Sequence, residues 1–148
     1  MRESQLWRHL ASIQKTKRDW HFFRIESSTI NGIPDVNGCI NGVEIWLELK
    51  SGEGKNYGLS KYQINWHIER LSCGGNVFIL LFTPKLKSLK ILRLVHQAFI
   101  LRQEIKFELL GSCKFSEKNL EQLLTDVIIW QNLTSVSYTH LRAHETVM

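Results

Sequence analysis

The stretch Gly32-Ile33-Pro34-Asp35-Val36-Asn37-Gly38-Cys39-Ile40-Asn41-Gly42-Val43-Glu44-Ile45-Trp46-Leu47-Glu48-Leu49-Lys50 reads as a β-hairpin. Asn41-Gly42 is the preferred pair for a two-residue type I′ turn, because both positions need positive φ. A turn there pairs Ile40 with Val43 and sets Asp35 directly opposite Glu48. Opposed residues project from one face with Cβ atoms roughly 4.5–5.5 Å apart. Strand alternation puts Glu48 and Lys50 on that face, and Val43, Ile45, Leu47 and Leu49 on the other. Two opposed carboxylates destabilise a strand pair. A divalent cation between them reverses the penalty, and an oxygen-rich carboxylate pair suits Mg2+. The plainer alternative is a turn aspartate after Pro34 and an exposed Glu48–Lys50 ion pair.

Pro34-Asp35 followed by Glu48-Leu49-Lys50 after a hairpin resembles the PD-(D/E)xK nuclease signature. The longer string Gly32-Ile33-Pro34-Asp35, Trp46-Leu47-Glu48-Leu49-Lys50 and Leu59-Ser60-Lys61-Tyr62-Gln63-Ile64-Asn65-Trp66 is similar to VRR-NUC-type and Holliday-junction-resolvase-like members, many of them from phages. The resemblance covers roughly residues 1–83. It implies an α/β fold with a restriction-endonuclease-like core, a mixed β-sheet flanked by helices, and hydrolysis of DNA phosphodiester bonds. Asp35, Glu48 and the backbone carbonyl of Leu49 would hold Mg2+, with Mn2+ as a substitute. Lys50 would orient or deprotonate the attacking water, or stabilise charge on phosphate oxygens. Relatives often use an acidic residue on their first helix as an additional metal ligand or water-orienting group, and carry a glutamine near the metal site on a later helix. These positions fall on Glu3 and Gln63.

Both have structural explanations too. Glu3 sits at the N-terminus of an amphipathic helix over about residues 3–18, with Leu6, Leu10 and Ile13 on one stripe, where an acid suits the helix dipole. Gln63 completes an S/T-x-x-E/Q capping box with Ser60 at the start of a second helix, Lys61 to Cys73. Gln63, His67 and Arg70 form a polar stripe on that helix, and His67 reads as a surface or packing residue rather than a ligand.

Trp20–Glu26 reads as the first strand, and Arg24 and Ser27 lie where resolvase-like relatives run beside their active sites. Ser51–Gly58 is a glycine-rich loop but no phosphate-binding P-loop, since position 49 is leucine and Lys55 precedes Asn56. Arg24, Ser27, Lys55, Lys61 and Arg70 are the residues expected to touch nucleic acid. Val77–Phe82 is a continuous apolar run, as in a strand covered on both faces. Leu89–Leu94 alternates and suggests a more exposed strand. A short helix over His96–Gln103, a strand over Ile105–Leu110 and a last helix capped by Ser116 complete the reading.

With 148 residues and a hydrophobic content of 43%, the chain is expected to be one domain over residues 1–134. The net charge of +5 is compatible with a polyanionic partner. Basic clusters at Lys15, Lys17 and Arg18 and at Lys85, Lys87, Lys90 and Arg93 are phosphate contacts or solvated faces. Three widely spaced cysteines give neither a metal-ligand spacing nor a disulfide framework. There is no apolar leader and no run long enough for a membrane span, so a cytoplasmic protein without a membrane partner is expected. His140 and His144 lack the intervening pattern of a zinc hydrolase. Residues 135–148 resemble a stray translated sequence and are read as a non-native, disordered tail.

The sequence reading leaves three functions open. One is an endonuclease specific for branched DNA; symmetric cutting of a four-way junction would require a homodimer. Another is a restriction- or repair-type nuclease acting on linear or nicked DNA. The third is a DNA-binding module that retains the fold without catalysis.

Overall fold

The computed structural model describes residues 1–26, 29–97, 104–129 and 131. Six strands form one sheet in chain order: β1 (Trp20–Arg24), β2 (Val36–Ile40), β3 (Val43–Ser51), β4 (Val77–Thr83), β5 (Ser88–Leu94) and β6 (Phe107–Lys114). All neighbours are antiparallel except β3 and β4, which run parallel. A parallel pair needs a crossover, and α2 (Lys61–Ser72) supplies it. The architecture is therefore α/β, a six-stranded mixed sheet flanked by helices.

The hairpin turn forms as its sequence dictates, with Asn41 at φ 49 and Gly42 at φ 85. Its register pairs Ile40 with Val43 and Val36 with Leu47. On one face of the sheet, Ile45, Leu47, Leu49, Phe78, Leu80, Phe82, Leu89 and Ile91 pack against α1 (Glu3–Gln14) and α3 (Glu117–Leu124). α3 continues into a π-helical turn over Thr125–Ile129 that adds Val127 and Ile128 to the core. On the other face, Val77, Ile79, Leu81, Leu92 and Leu94 pack against Ile64, Ile68 and Leu71 of α2. Each such side chain contributes about 1.5–3 kcal/mol on burial, and β4 is buried at every position because both faces are covered.

The helix ends are set by local chemistry. α1 stops at Gln14, short of the expected residue 18. There the Thr16 hydroxyl donates to the Ile13 carbonyl at 2.9 Å, and Gln14 Oε1 accepts from the Phe22 amide at 2.7 Å, tying the helix end to β1. α2 closes in a Schellman motif, with Gly74 at φ 83 and amides 74 and 75 donating to the carbonyls of Leu71 and Arg70. Ser116 Oγ accepts from the Asn119 amide at 3.0 Å and starts α3.

Two strands differ from their sequence reading. β5 is an interior strand, buried at Leu89, Ile91, Leu92 and Leu94, because β6 covers the edge that alternation had left open. β6 begins at Phe107 rather than Ile105 and runs on to Lys114. A register shift opposite Ile91/Leu92 carries the pairing past Gly111, where a Cβ would meet Leu123 at 2.8 Å. The first strand ends at Arg24 rather than Glu26. The expected helix over 96–103 is seen at residues 96 and 97; positions 98–103 and the tail at 135–148 lie outside the described residues. Among the described residues no helix is long and apolar enough to cross a membrane.

Candidate active site

The hairpin and the crossover helix build the site together. Asp35 directly precedes β2, and its Oδ2 accepts from the Leu49 amide at 2.8 Å while its backbone carbonyl accepts from the Ile25 amide at 2.7 Å. The carboxylate is thus fastened to β3 one residue beyond Glu48. A residue's amide and carbonyl point to the same side of a strand, so the Leu49 carbonyl shares the side on which Asp35 lies. Gly32 makes this entry possible. It has φ 83, and a Cβ there would stand 2.2 Å from the carbonyl oxygen of Tyr62 in the first turn of α2. The loop before Asp35 therefore touches the helix that carries Gln63.

Glu48 is buried, with 1% exposure. Its Oε1 accepts from Gln63 Nε2 at 2.9 Å, while its Oε2 is buried and receives no such donor among the described residues. Burial, then the charge of Asp35 and a hydrogen bond shared with its carboxyl, push the Glu48 pKa up to about 9; Lys50 acts in the opposite direction, and Glu3 adds a smaller upward push. The Lys50 ammonium donates to the Gly58 carbonyl at 3.3 Å. That carbonyl is presented by the 3-10 turn Lys55–Gly58, in which Asn56, Tyr57 and Gly58 all have positive φ.

Gln63 fills both of its expected roles. Its amide and Oε1 complete the cap with Ser60 at 3.2 and 2.9 Å, leaving Nε2 for Glu48. His67 is a packing residue, with 0% exposure and both ring nitrogens unpartnered among the described residues. Burial lowers its pKa to about 4.

The remaining expected residues are scattered. Glu3 is exposed on the first turn of α1, and its charge is felt at Glu48. Arg24 pairs with Val36, on the sheet face opposite Glu48. Lys55 and Lys61 are exposed on the flanking loop and helix start. Arg70 is stacked over Trp66 at 4.7 Å and Trp46 at 5.4 Å, which gives its guanidinium a packing role. Ser27 lies outside the described residues. Gly58, whose carbonyl holds Lys50, was not found from sequence. The glycine-rich composition marked the loop but not the direction of its carbonyls.

Among the described residues no group of three or more His, Cys, Asp or Glu side chains is disposed to hold a metal ion. Mg2+ commonly takes one or two protein carboxylates and completes its shell with water and substrate phosphate. The adjacent carboxyls of Asp35 and Glu48, with the Leu49 carbonyl on the Asp35 side of β3, fit that kind of ligation. No family model matches the chain, and no curated protein is significantly similar to it.

Proposed function

We propose that the chain is a metal-dependent endodeoxyribonuclease of the PD-(D/E)xK type with a restriction-endonuclease-like core, specific for branched DNA. One observation carries the reading: a hairpin and a helix converge Asp35, Glu48, Lys50 and Gln63 on one sheet face, with the Glu48 carboxyl buried against that of Asp35. Two carboxyl groups crowded together out of water cost stability, and burial with the charge of Asp35 raises the Glu48 pKa accordingly, so the pair needs a reason beyond stability.

Asp35, Glu48 and the Leu49 carbonyl would hold Mg2+, which when bound polarises a phosphate and lowers the pKa of a coordinated water. Gln63 fixes one oxygen of Glu48 so that the other faces Asp35. Lys50, anchored on Gly58, is set to orient the attacking water and to balance negative charge growing on the phosphate oxygens. Glu3 adds negative potential at the mouth of the site. Symmetric cutting of a four-way junction would take two copies of the chain.

The test is cleavage of matched four-way-junction, flap, single-stranded and linear duplex DNA, with Mg2+ and with chelator. Metal-dependent cutting, abolished in Asp35→Ala and Lys50→Ala, is the expected result, with the branched substrates cut fastest. Preference for linear DNA would replace the branch-specific reading with a restriction- or repair-type one. No cutting of any substrate would overturn the enzyme.

A further inference from the structure

A cavity of about 440 Å³ opens beside Lys50 on the α2 face of the sheet, and the site as described does not use it. Strand register places it: Lys50 pairs with Leu81 and Leu81 with Lys90, so the three form one row across β3, β4 and β5. Lys90 lines the cavity, is half-buried, and has no carboxylate partner among the described residues. The acid in the wall, Glu53, is paired with Lys85 at 3.7 Å across the mouth. A half-buried ammonium without a carboxylate partner is free to take an anion that enters the cavity.

Apart from Thr83, the other side chains of the wall are apolar or aromatic. Leu81 forms the floor, and Tyr57 is braced by an edge contact to Phe107 at 5.1 Å. Leu86 stands at the rim with 63% exposure. An anion seat among an aromatic ring and two leucines matches a nucleotide, whose phosphate is charged and whose base has apolar faces. The volume lies within the roughly 300–1,000 Å³ of small-ligand sites. Lys50 and Lys90 stand two strand spacings apart, about 9–10 Å, or about three nucleotides of rise along one strand. A phosphate on Lys90 would therefore lie within a few nucleotides of the scissile one.

We propose that this cavity takes one unpaired nucleotide of the substrate strand, so that DNA with a single-stranded or frayed segment is bound in preference to closed duplex. The assignment of that nucleotide to the strand being cut rests on the nuclease reading. A closed duplex keeps its bases stacked, and extruding one costs a few kcal/mol.

The experiment measures binding in chelator, where no cutting is expected, by fluorescence anisotropy. It compares a single-stranded 12-mer, the same strand with one abasic position walked along it, and the closed duplex. Lys90→Ala and Leu86→Ser change side chains outside the carboxylate site, and thermal melts verify their folding. Lys90→Ala is expected to raise the single-strand Kd about tenfold and to make the slope of log K against log salt shallower by about 0.7. Leu86→Ser is expected to raise it about threefold, an abasic position to reproduce that loss without adding to it, and duplex affinity to stay within twofold. Unchanged single-strand binding in both folded variants, or equal losses on duplex and single strand, would overturn the subsite. A chain that binds as expected yet cuts nothing in Mg2+ keeps the subsite and loses the nuclease. One that cuts while both variants bind as wild type keeps the nuclease and loses the subsite.

Discussion

Gln63 directs its side-chain oxygen to the helix cap and its nitrogen to Glu48, so the two ends of one amide can be separated by mutation. Gln63→Glu keeps an acceptor for the Ser60 amide, since a capping box admits either residue, but replaces the donor to Glu48 with a third carboxylate. We expect a loss of about 1–3 kcal/mol, because Glu48 Oε1 loses its donor, and a fall in cleavage rate of at least tenfold; a thermal melt and a rate assay check both. The buried imidazole of His67 gives a pH dependence. Its folded pKa of about 4 lies below the ordinary histidine value of 6.5, so between these pH values the unfolded chain binds the extra proton. Its contribution to stability is complete above pH 6.5 and is lost as pH falls toward 4, on the order of 3 kcal/mol across the window. Glu48 works in the opposite direction, because its raised pKa makes the metal-free fold lose stability as pH rises from 4.5 to about 9. The His67 part is therefore read as the difference between wild type and His67→Leu in urea melts at several pH values, and parallel curves would refute it. Asp35 opposite Glu48 was legible because strand pairing is arithmetic once the turn is fixed. The Gly58 carbonyl was not, because left-handed φ at Asn56 and Tyr57 is a conformation that residue type does not announce.

The hairpin was readable as an element because Asn41-Gly42 admits few alternatives, whereas β5 and β6 were misjudged because exposure depends on which strand lies alongside. Alternation along Leu89–Leu94 describes one strand, and only the pairing with β6 makes it interior. The bulge next to Gly111 lets the strand continue past the expected end, and the missing Cβ lets α3 approach. The loop from β1 into β2 depends on its contact with α2 at Gly32. Gly32→Ala must place a Cβ 2.2 Å from the Tyr62 carbonyl at φ 83, so the loop or the helix start has to move. We expect a loss of about 3 kcal/mol or more, seen as a lower urea midpoint, and a fall in cleavage as Asp35 and Gln63 shift together. Gly42→Ala has no contact within 4 Å and should cost only about 1 kcal/mol, for its φ alone.

At the scale of the molecule, an α/β sheet with covered faces was legible from the apolar run of β4, the amphipathic α1 and the capped α2. That α1 lies on one face and α2 on the other depends on long-range packing that no local pattern encodes. A carboxylate pair that repels itself should make the fold sensitive to its cation. Mg2+ at about a hundred times its Kd is expected to stabilise the wild type by about 2.7 kcal/mol, raising the melting temperature by several degrees, and to leave Asp35→Ala unmoved. An equal shift in both proteins would place the binding elsewhere. The strand order has a kinetic consequence. Four of the five strand pairings join antiparallel neighbours, while β3 and β4 meet only after α2 has been laid between them. Loop-closure entropy makes that parallel pairing the slow event in assembling the sheet. Asp35, Glu48 and Leu49 come together in the local β2–β3 hairpin, but Gln63 reaches Glu48 only once α2 has docked. During refolding, cleavage should therefore return with the slowest phase, after most strand signal has recovered.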